Sequence, residues 1–349
     1  MKDIRTTNNW KNLLQRGVLG AVATLTVGSA LVAAPSASAQ IKLNGAGATF
    51  PFPIYSKWFS VYKGAQVNYQ PVGSGAGINQ IKARTVDFGG TDSPLTNADL
   101  SALPAPLLQI PTVAGAIAVT YNGLPRGLKL SGPVLANIYL GNITRWNDAQ
   151  IAGLNPGVRL PNRVITVVRR SDGSGTTYIY TSYLKAVSPA WARQVGAGKA
   201  VAWPTGLGGR GNDGVAALVK STPGSIGYVE LAFAVQQGLP YAAMRNRAGR
   251  FLLPSVDGVT AAAAASAASI QRDIRTPIVN AAGVNSYPIS GFTYLMVYRN
   301  NDDKVKGRAI VNMLNWMMTR GQAYAKPLYY APLPLSVRRA NAIKIRSIR

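Results

Sequence analysis

Residues 164–176 read Val-Ile-Thr-Val-Val-Arg-Arg-Ser-Asp-Gly-Ser-Gly-Thr. Val164 to Arg169 is dominated by β-branched apolar residues, the composition of a buried strand. Asp172-Gly173-Ser174-Gly175 is turn chemistry, and Thr176 to Lys185 continues with the spacing of an amphipathic helix. A strand that passes through a short turn into a helix is the unit of an α/β protein. Arg169 and Arg170 stand at the C-terminal end of that strand, the edge at which open α/β sheets bind ligands. A guanidinium there can hold an oxyanion through its planar fork. Asp172 is close enough in sequence to pair with it and fix its orientation.

Outward from this unit the alternation continues. Gln66–Val72, Val86–Phe88, Gly224–Val229 and Phe292–Tyr298 read as strands or turn-then-strand, and Leu107–Tyr121 suits buried strands. Gly77–Arg84, Pro133–Tyr139 and Asn147–Leu154 read as helices. Val259–Ile270 is alanine-rich and is expected to be an exposed helix. Lys304–Arg320 is a long helix whose Ile310, Met313, Leu314 and Met317 share one face, the mark of a core stripe. Gly206-Leu207-Gly208-Gly209-Arg210-Gly211 is rich in glycine but lacks the Gly-Lys-Ser/Thr ending of a P-loop, so it is a weak nucleotide signal.

Three segments share one design, small residues and a hydroxyl directly before a helical pattern. They are Gly45–Pro51 with Thr49 and Phe50, Gly73–Gly77 with Ser74, and Asp172–Thr176 with Ser174, Gly175 and Thr176. Each could direct the unpaired N–H groups of a helix start and a hydroxyl at an anion. Each could equally be an ordinary N-cap. Asp92, in Gly89-Gly90-Thr91-Asp92-Ser93-Pro94, is either a turn aspartate or something more selective. An ionised carboxylate only accepts, so it can bond a protonated oxyanion such as phosphate and should repel sulfate.

Composition closes several routes. The 349 residues contain neither cysteine nor histidine. That removes a disulfide framework, thiolate metal sites, a cysteine nucleophile and any Ser-His-Asp triad. No metal and no cofactor is expected. Lys2, Arg5, Lys11 and Arg16, then the apolar stretch Gly17–Ala34, then Ala37-Ser38-Ala39 give the three-part pattern of an export signal, with cleavage after Ala39. The remainder carries 33 Lys+Arg against 11 Asp+Glu, a formal charge of +22. Such a charge suits nucleic acid, an anionic surface or a small anion. The basic residues are scattered, densest at Arg338, Arg339, Lys344, Arg346 and Arg349, where a solvated helix face competes with a docking role.

The quoted residues carry a resemblance. GAGATFP at 45–51, VDFGGTDSPL at 86–95, VVRRSDGSGT at 167–176, WPTGLGGRGNDG at 203–214 and GSIGYVE at 224–230 are similar to motifs of the periplasmic phosphate-binding proteins of phosphate-specific ABC transporters. Tyr69–Gly77 and Tyr139–Trp146 extend the match over nearly all of the chain after the export segment. The resemblance implies an α/β, two-lobed periplasmic binding protein of type II, hinged by two crossing strands and closing on dehydrated phosphate. The expected lobes are 40–121 with 290–349, and 122–289. The implied ligand contacts are Thr49, Phe50, Ser74, Asp92, Arg170, Ser174, Gly175 and Thr176, with Asp172 supporting Arg170. Where relatives commonly read Gly-Ser-Ser-Gly-Gly, this chain reads Gly-Ser-Gly-Ala-Gly, so Gly75 has no hydroxyl.

On this reading the chain is a non-enzymatic receptor, a monomer free in the periplasm without a lipid anchor. Its partners are inorganic phosphate and the inner-membrane permease of the transporter, with no specific nucleic acid. A phosphate-ester hydrolase, an adhesion or nucleic-acid-binding protein, and a receptor for a related oxyanion such as arsenate are the alternatives.

Overall fold

The computed structural model describes residues 40–349, and the export signal read at 1–39 lies outside them. Eight strands form one sheet: β1 (Lys42–Gly47), β2 (Gln66–Gln70), β3 (Phe88–Thr91), β4 (Leu107–Tyr121), β5 (Thr166–Arg170), β6 (Leu207–Gly209), β7 (Ser225–Glu230) and β8 (Ser290–Tyr298). Their order across the sheet is β2-β1-β3-β8-β4-β7-β5-β6. β1 is parallel to β2 and β3, and β5 is parallel to β6 and β7. Between these two parallel wings lie β8 and β4, antiparallel to each other and to their outer neighbours. The sheet is therefore two α/β wings joined by two long strands.

β4 makes that junction. It pairs with β8 from Leu107 to Ala116 and with β7 from Ile117 to Tyr121. Nearly every residue along it is buried, which is why the stretch reads as apolar on both faces. Pro111, which has no N–H to give a ladder, is accommodated by a bulge. Thr293 faces Val113 and Tyr294 faces Pro111, so Thr112 has no opposite residue in the register. The Thr112 hydroxyl bonds that of Tyr55 instead, at 2.8 Å.

Flanking helices include α1 (Phe52–Val61), α2 (Ser74–Lys82), α3 (Gly175–Val187), α4 (Gly211–Ser221), α5 (Val256–Ala265), α6 (Ala267–Arg272), α7 (Lys304–Met318) and α8 (Leu335–Arg346). On α7, Ile310, Met313, Leu314 and Met317 are all buried, as their spacing predicts. Each such side chain contributes about 1.5–3 kcal/mol of transfer free energy. Leu314→Ala, which would leave a hole there, should cost about 2–5 kcal/mol.

The alanine-rich stretch departs from expectation. It is two short helices broken at Ser266, and α5 buries Val259, Ala262 and Ala263 rather than lying exposed. Alanine's small volume is what lets α5 lie close against β4 and β8. The basic C-terminal helix α8 is likewise more than a solvated face. Val337, Asn341 and Ile345 are buried, and Lys344 reaches inward to the Gln109 carbonyl at 3.2 Å.

Candidate anion-binding site

The carboxyl ends of β1, β3, β5 and β7 are brought to one place, the edge at which parallel sheets present ligand-binding loops. Thr49 follows β1, Ser74 opens α2, Asp92 follows β3, Arg170 ends β5, and Ser174, Gly175 and Thr176 lead into α3. All seven side chains or glycine positions are buried. Phe50, next to Thr49, is buried as well. Its ring lies edge-on to Tyr330 at 6.2 Å between centroids.

Segments from the two wings interlock here. Gly75 N donates to Gly173 O at 2.8 Å. Gly175 N donates to Ser74 Oγ at 3.1 Å, and Asp92 N donates to the same oxygen at 3.2 Å. The fit tolerates no bulk. A Cβ on Gly175 would stand 2.5 Å from Cβ and Oδ2 of Asp92, and one on Gly75 only 3.1 Å from Gly173 Cα. The missing hydroxyl at Gly75 thus coincides with a close backbone approach that a small residue favours.

The hydroxyls share a polarity. A hydroxyl has one proton and two acceptor lone pairs. Thr49 Oγ1 accepts from Asn212 Nδ2 at 2.9 Å and from Asn212 N at 3.2 Å. Thr176 Oγ1 accepts from Asn212 Nδ2 at 3.1 Å and from Arg170 Nη1 at 3.4 Å. Ser74 Oγ has its two backbone N–H donors. In all three, N–H groups engage the oxygen and leave the proton to be donated elsewhere. Ser174 is different. It is the N-cap of α3 and accepts from Thr177 N at 3.0 Å, so there the capping role is real and only its proton remains.

Arg170 is held bidentately by Asp172, with Nε–Oδ1 at 2.7 Å and Nη2–Oδ2 at 2.5 Å. Burial pushes the Asp172 carboxyl up, but hydrogen bonds and charge from Arg170, with Gly211 N–H, outweigh it and leave the group below its usual value. Asp172 therefore stays ionised and orients the guanidinium. Of the five N–H groups of Arg170, two remain for a ligand. Arg169, the other candidate, is only part-buried and bonds the Arg170 carbonyl at 3.3 Å.

Asp92 is the acceptor in this ring of donors. Burial raises its pKa to about 7, against the opposing effects of the Thr293 hydroxyl and Arg170. Its Oδ1 is buried with no hydrogen-bond partner among the described residues. The arrangement suits an oxyanion that both accepts many hydrogen bonds and offers one proton.

Two residues escape a reading of the sequence. Asn212, at the start of α4, bonds Thr49 and Thr176 and accepts Glu230 N through Oδ1 at 2.9 Å. It follows the glycine-rich loop dismissed as a nucleotide signal, and Gly211 N of that loop donates to Asp172. A polar residue directly after a glycine loop and before a helix was the available clue. Glu230, the chain's single glutamate, is fully buried. Its Oε2 lies 3.0 Å from the Tyr330 hydroxyl, which also bonds the Phe50 carbonyl at 2.6 Å.

Among the described residues no helix is long and apolar enough to cross a membrane. Among the described residues no group of three or more His, Cys, Asp or Glu stands ready for a metal ion.

Residues 32–319 match the family model of the PBP superfamily domain, in keeping with the two-lobed α/β fold. The phosphate-binding protein PstS of Xylella fastidiosa (strain Temecula1) is 42% identical over 301 residues, covering 84% of this chain and 82% of its own. PstS of Pasteurella multocida is 44% identical over 302 residues, covering 84% and 87%. A solved phosphate-binding protein from Stenotrophomonas maltophilia shares the fold, with a TM-score of 0.68 at 19% identity over 87% of this chain and 94% of that one. Family model and relatives agree, and the chain belongs to the PBP superfamily and, within it, to the phosphate-binding proteins PstS.

Proposed function

We propose that this protein is the substrate-binding component of a phosphate ABC importer. It takes up dehydrated inorganic phosphate between its two lobes and delivers it to the membrane permease. The observation that carries this reading is the polarity of the site. The hydroxyls of Thr49, Ser74 and Thr176 are engaged as acceptors, so each is left to donate, while Asp92 is the carboxylate that can accept. A monohydrogen phosphate has oxygens for the donors and a P–OH for Asp92. Sulfate has no proton to give.

The proposed contacts are Thr49, Phe50, Ser74, Asp92, Arg170, Ser174, Gly175 and Thr176, with Asp172 and Gly75 in support. The lobes are 40–121 with 290–349, and 122–289, with β4 and β8 as the crossing strands. Binding is the whole of the chemistry, without bond cleavage, and the protein works as a monomer in the periplasm after cleavage behind Ala39. Having no cysteine, it carries no lipid on an N-terminal cysteine. The general positive charge steers phosphate inward.

Calorimetric titration of the phosphate-stripped protein tests this. Tight one-to-one binding of phosphate with no sulfate signal at pH 8 is expected. Truncating Arg170 should weaken phosphate by ~1.5–3 kcal/mol, the worth of a charge-assisted hydrogen bond. No phosphate signal, or an Arg170→Ala variant with unchanged affinity, would remove the site from this role.

A further inference from the structure

The alanine-rich helices α5 and α6 do not pack flush against the basic helix α8. Between α6, α8 and the start of β4 lies a cavity of about 530 Å³, whose apolar wall includes Leu100, Leu107, Ile270, Val337 and Ala340. A second space of about 180 Å³ adjoins it, lined by Ala263, Ala267, Ala331 and Pro332 among others. The two share Ile270, Ser336 and Val337. The two lie side by side, the smaller almost wholly apolar, the larger carrying charge. None of the proposed phosphate contacts lines either space.

The charge is unbalanced. Lys344, part-buried in the wall, offers three N–H donors and meets one acceptor, the Gln109 carbonyl at 3.2 Å. Burial holds its pKa below the ordinary lysine value, against a smaller opposing pull from Asp273. Asp273, the one carboxylate of the lining, is already committed. Both its oxygens accept from Arg275, at 2.7–3.0 Å. Arg275 is occupied in turn by the Asn97 side chain at 2.7 Å and the Leu95 carbonyl at 3.3 Å. Arg272 adds another positive charge at the exposed rim. A part-desolvated ammonium beside largely apolar space, with no carboxylate of its own, calls for an anion that brings apolar surface with it.

We propose that these two adjacent spaces join as a channel and form a second ligand site, for a single-chain amphiphilic anion whose carboxylate meets Lys344 and whose alkyl tail lies along the alanine-lined end. The head gains charge-assisted hydrogen bonds. The tail gains about 25 cal/mol for each Å² of apolar surface removed from water. The small side chains of α5 and α6 are what keep the tail's path open.

The test uses protein saturated with phosphate, so that the cleft between the lobes cannot take the probe. Octanoate, acetate and octyl glucoside are titrated by calorimetry. Saturable one-to-one octanoate binding is expected, with acetate (head alone) and octyl glucoside (the same tail on a neutral head) each at least about tenfold weaker. Lys344→Gln should weaken octanoate at least about tenfold, the loss of one charge-assisted hydrogen bond. Ala267→Leu should weaken octanoate by narrowing the channel and leave acetate as it was. Retained phosphate affinity in both variants shows that they fold. Absence of saturable octanoate binding, equal binding of octyl glucoside, or a Lys344→Gln variant that binds octanoate like the wild type would each overturn the proposal.

Discussion

Asn212 Nδ2 donates to Thr49 Oγ1 across 163 positions of sequence, at 2.9 Å, and to Thr176 Oγ1 at 3.1 Å. One amide therefore fixes the proton direction of two hydroxyls that come from opposite wings of the sheet. It is also a strut between the wings, because Thr49 follows β1 while Asn212 Oδ1 accepts Glu230 N at the end of β7 in the other wing.

Replacing Asn212 should damage binding without removing any proposed ligand contact. In Asn212→Ala both hydroxyls lose a donor that orients them, and Glu230 N loses its acceptor. Phosphate affinity should fall about ten- to hundredfold, or ~1.4–2.8 kcal/mol, mostly through faster release. Asn212→Asp keeps the acceptor for Glu230 N but cannot donate and adds negative charge, so it should bind more weakly still. Stopped-flow release rates decide the matter; an unchanged rate in both variants would mean that the hydroxyls orient without it.

Asp92 should make ion selectivity depend on pH. With its pKa raised to about 7 by burial, the carboxyl is ionised at pH 8 and protonated at pH 5. As an acid it can donate, and a fully ionised oxyanion ceases to be repelled. Sulfate binding should therefore appear as pH falls through about 7. Asp92→Asn, whose amide can always donate, should bind sulfate at both pH values. If sulfate is silent for the variant throughout, discrimination lies in another group.

These two cases mark where residue identity is informative and where it is not. Arg170, Asp172 and the three hydroxyl turns announce themselves because charge, glycine and hydroxyl fall at a strand end or a helix start, where the physics of backbone donors is local. The capping alternative held at Ser174, and no local pattern could tell it from Ser74, whose donors come from Asp92 and from Gly175, 101 residues away. Asn212 and the Glu230–Tyr330 pair were illegible for the same reason, since their partners are chosen by tertiary packing. The fifteen-residue span of β4 was readable as apolar. Its passage through Pro111 was not, because the bulge at Thr112 is set by the partner strand β8.

Gly175 offers a steric test of closure. A Cβ there would sit 2.5 Å from Asp92 Cβ and 2.6 Å from Asp92 N. Asp92 and Gly175 lie in different proposed lobes, so Gly175→Ala should oppose their closure while each folds normally. Overpacking of this kind costs ~1–3 kcal/mol, about a ten- to hundredfold loss of phosphate affinity. The melting temperature without phosphate should be unchanged. A matching fall in that temperature would instead indicate damage within one lobe.

Glu230 should give the phosphate-free protein a stability that declines as pH rises. The Tyr330 hydroxyl has a single proton, and the Phe50 carbonyl at 2.6 Å is its nearer acceptor. Tyr330 is therefore only a weak donor to Glu230 Oε2 at 3.0 Å, which also accepts Ala232 N at 2.8 Å, and this leaves burial to decide the carboxyl's protonation. Burial holds the Glu230 pKa well above its ordinary 4.5, with the charge of Asp92 pushing the same way. A folded pKa above the unfolded one means that the native state binds more protons. Its stabilising contribution is complete below the unfolded value and is lost as pH rises through the folded one. Asp92 acts in the same sense between about 4 and 7. Asp99, Asp172, Asp273 and Asp303 are shifted down, and their contributions are lost only as pH falls below the ordinary carboxylate range. From pH 5 to pH 7 the raised pair should therefore dominate, and urea denaturation without phosphate should show stability falling across that interval. Glu230→Gln, neutral at every pH and able to donate to Tyr330, should flatten the slope and leave only the part due to Asp92. A wild-type slope that rises over this interval, or a Glu230→Gln slope as steep as the wild type, would place Glu230 in the cleft as an ionised group.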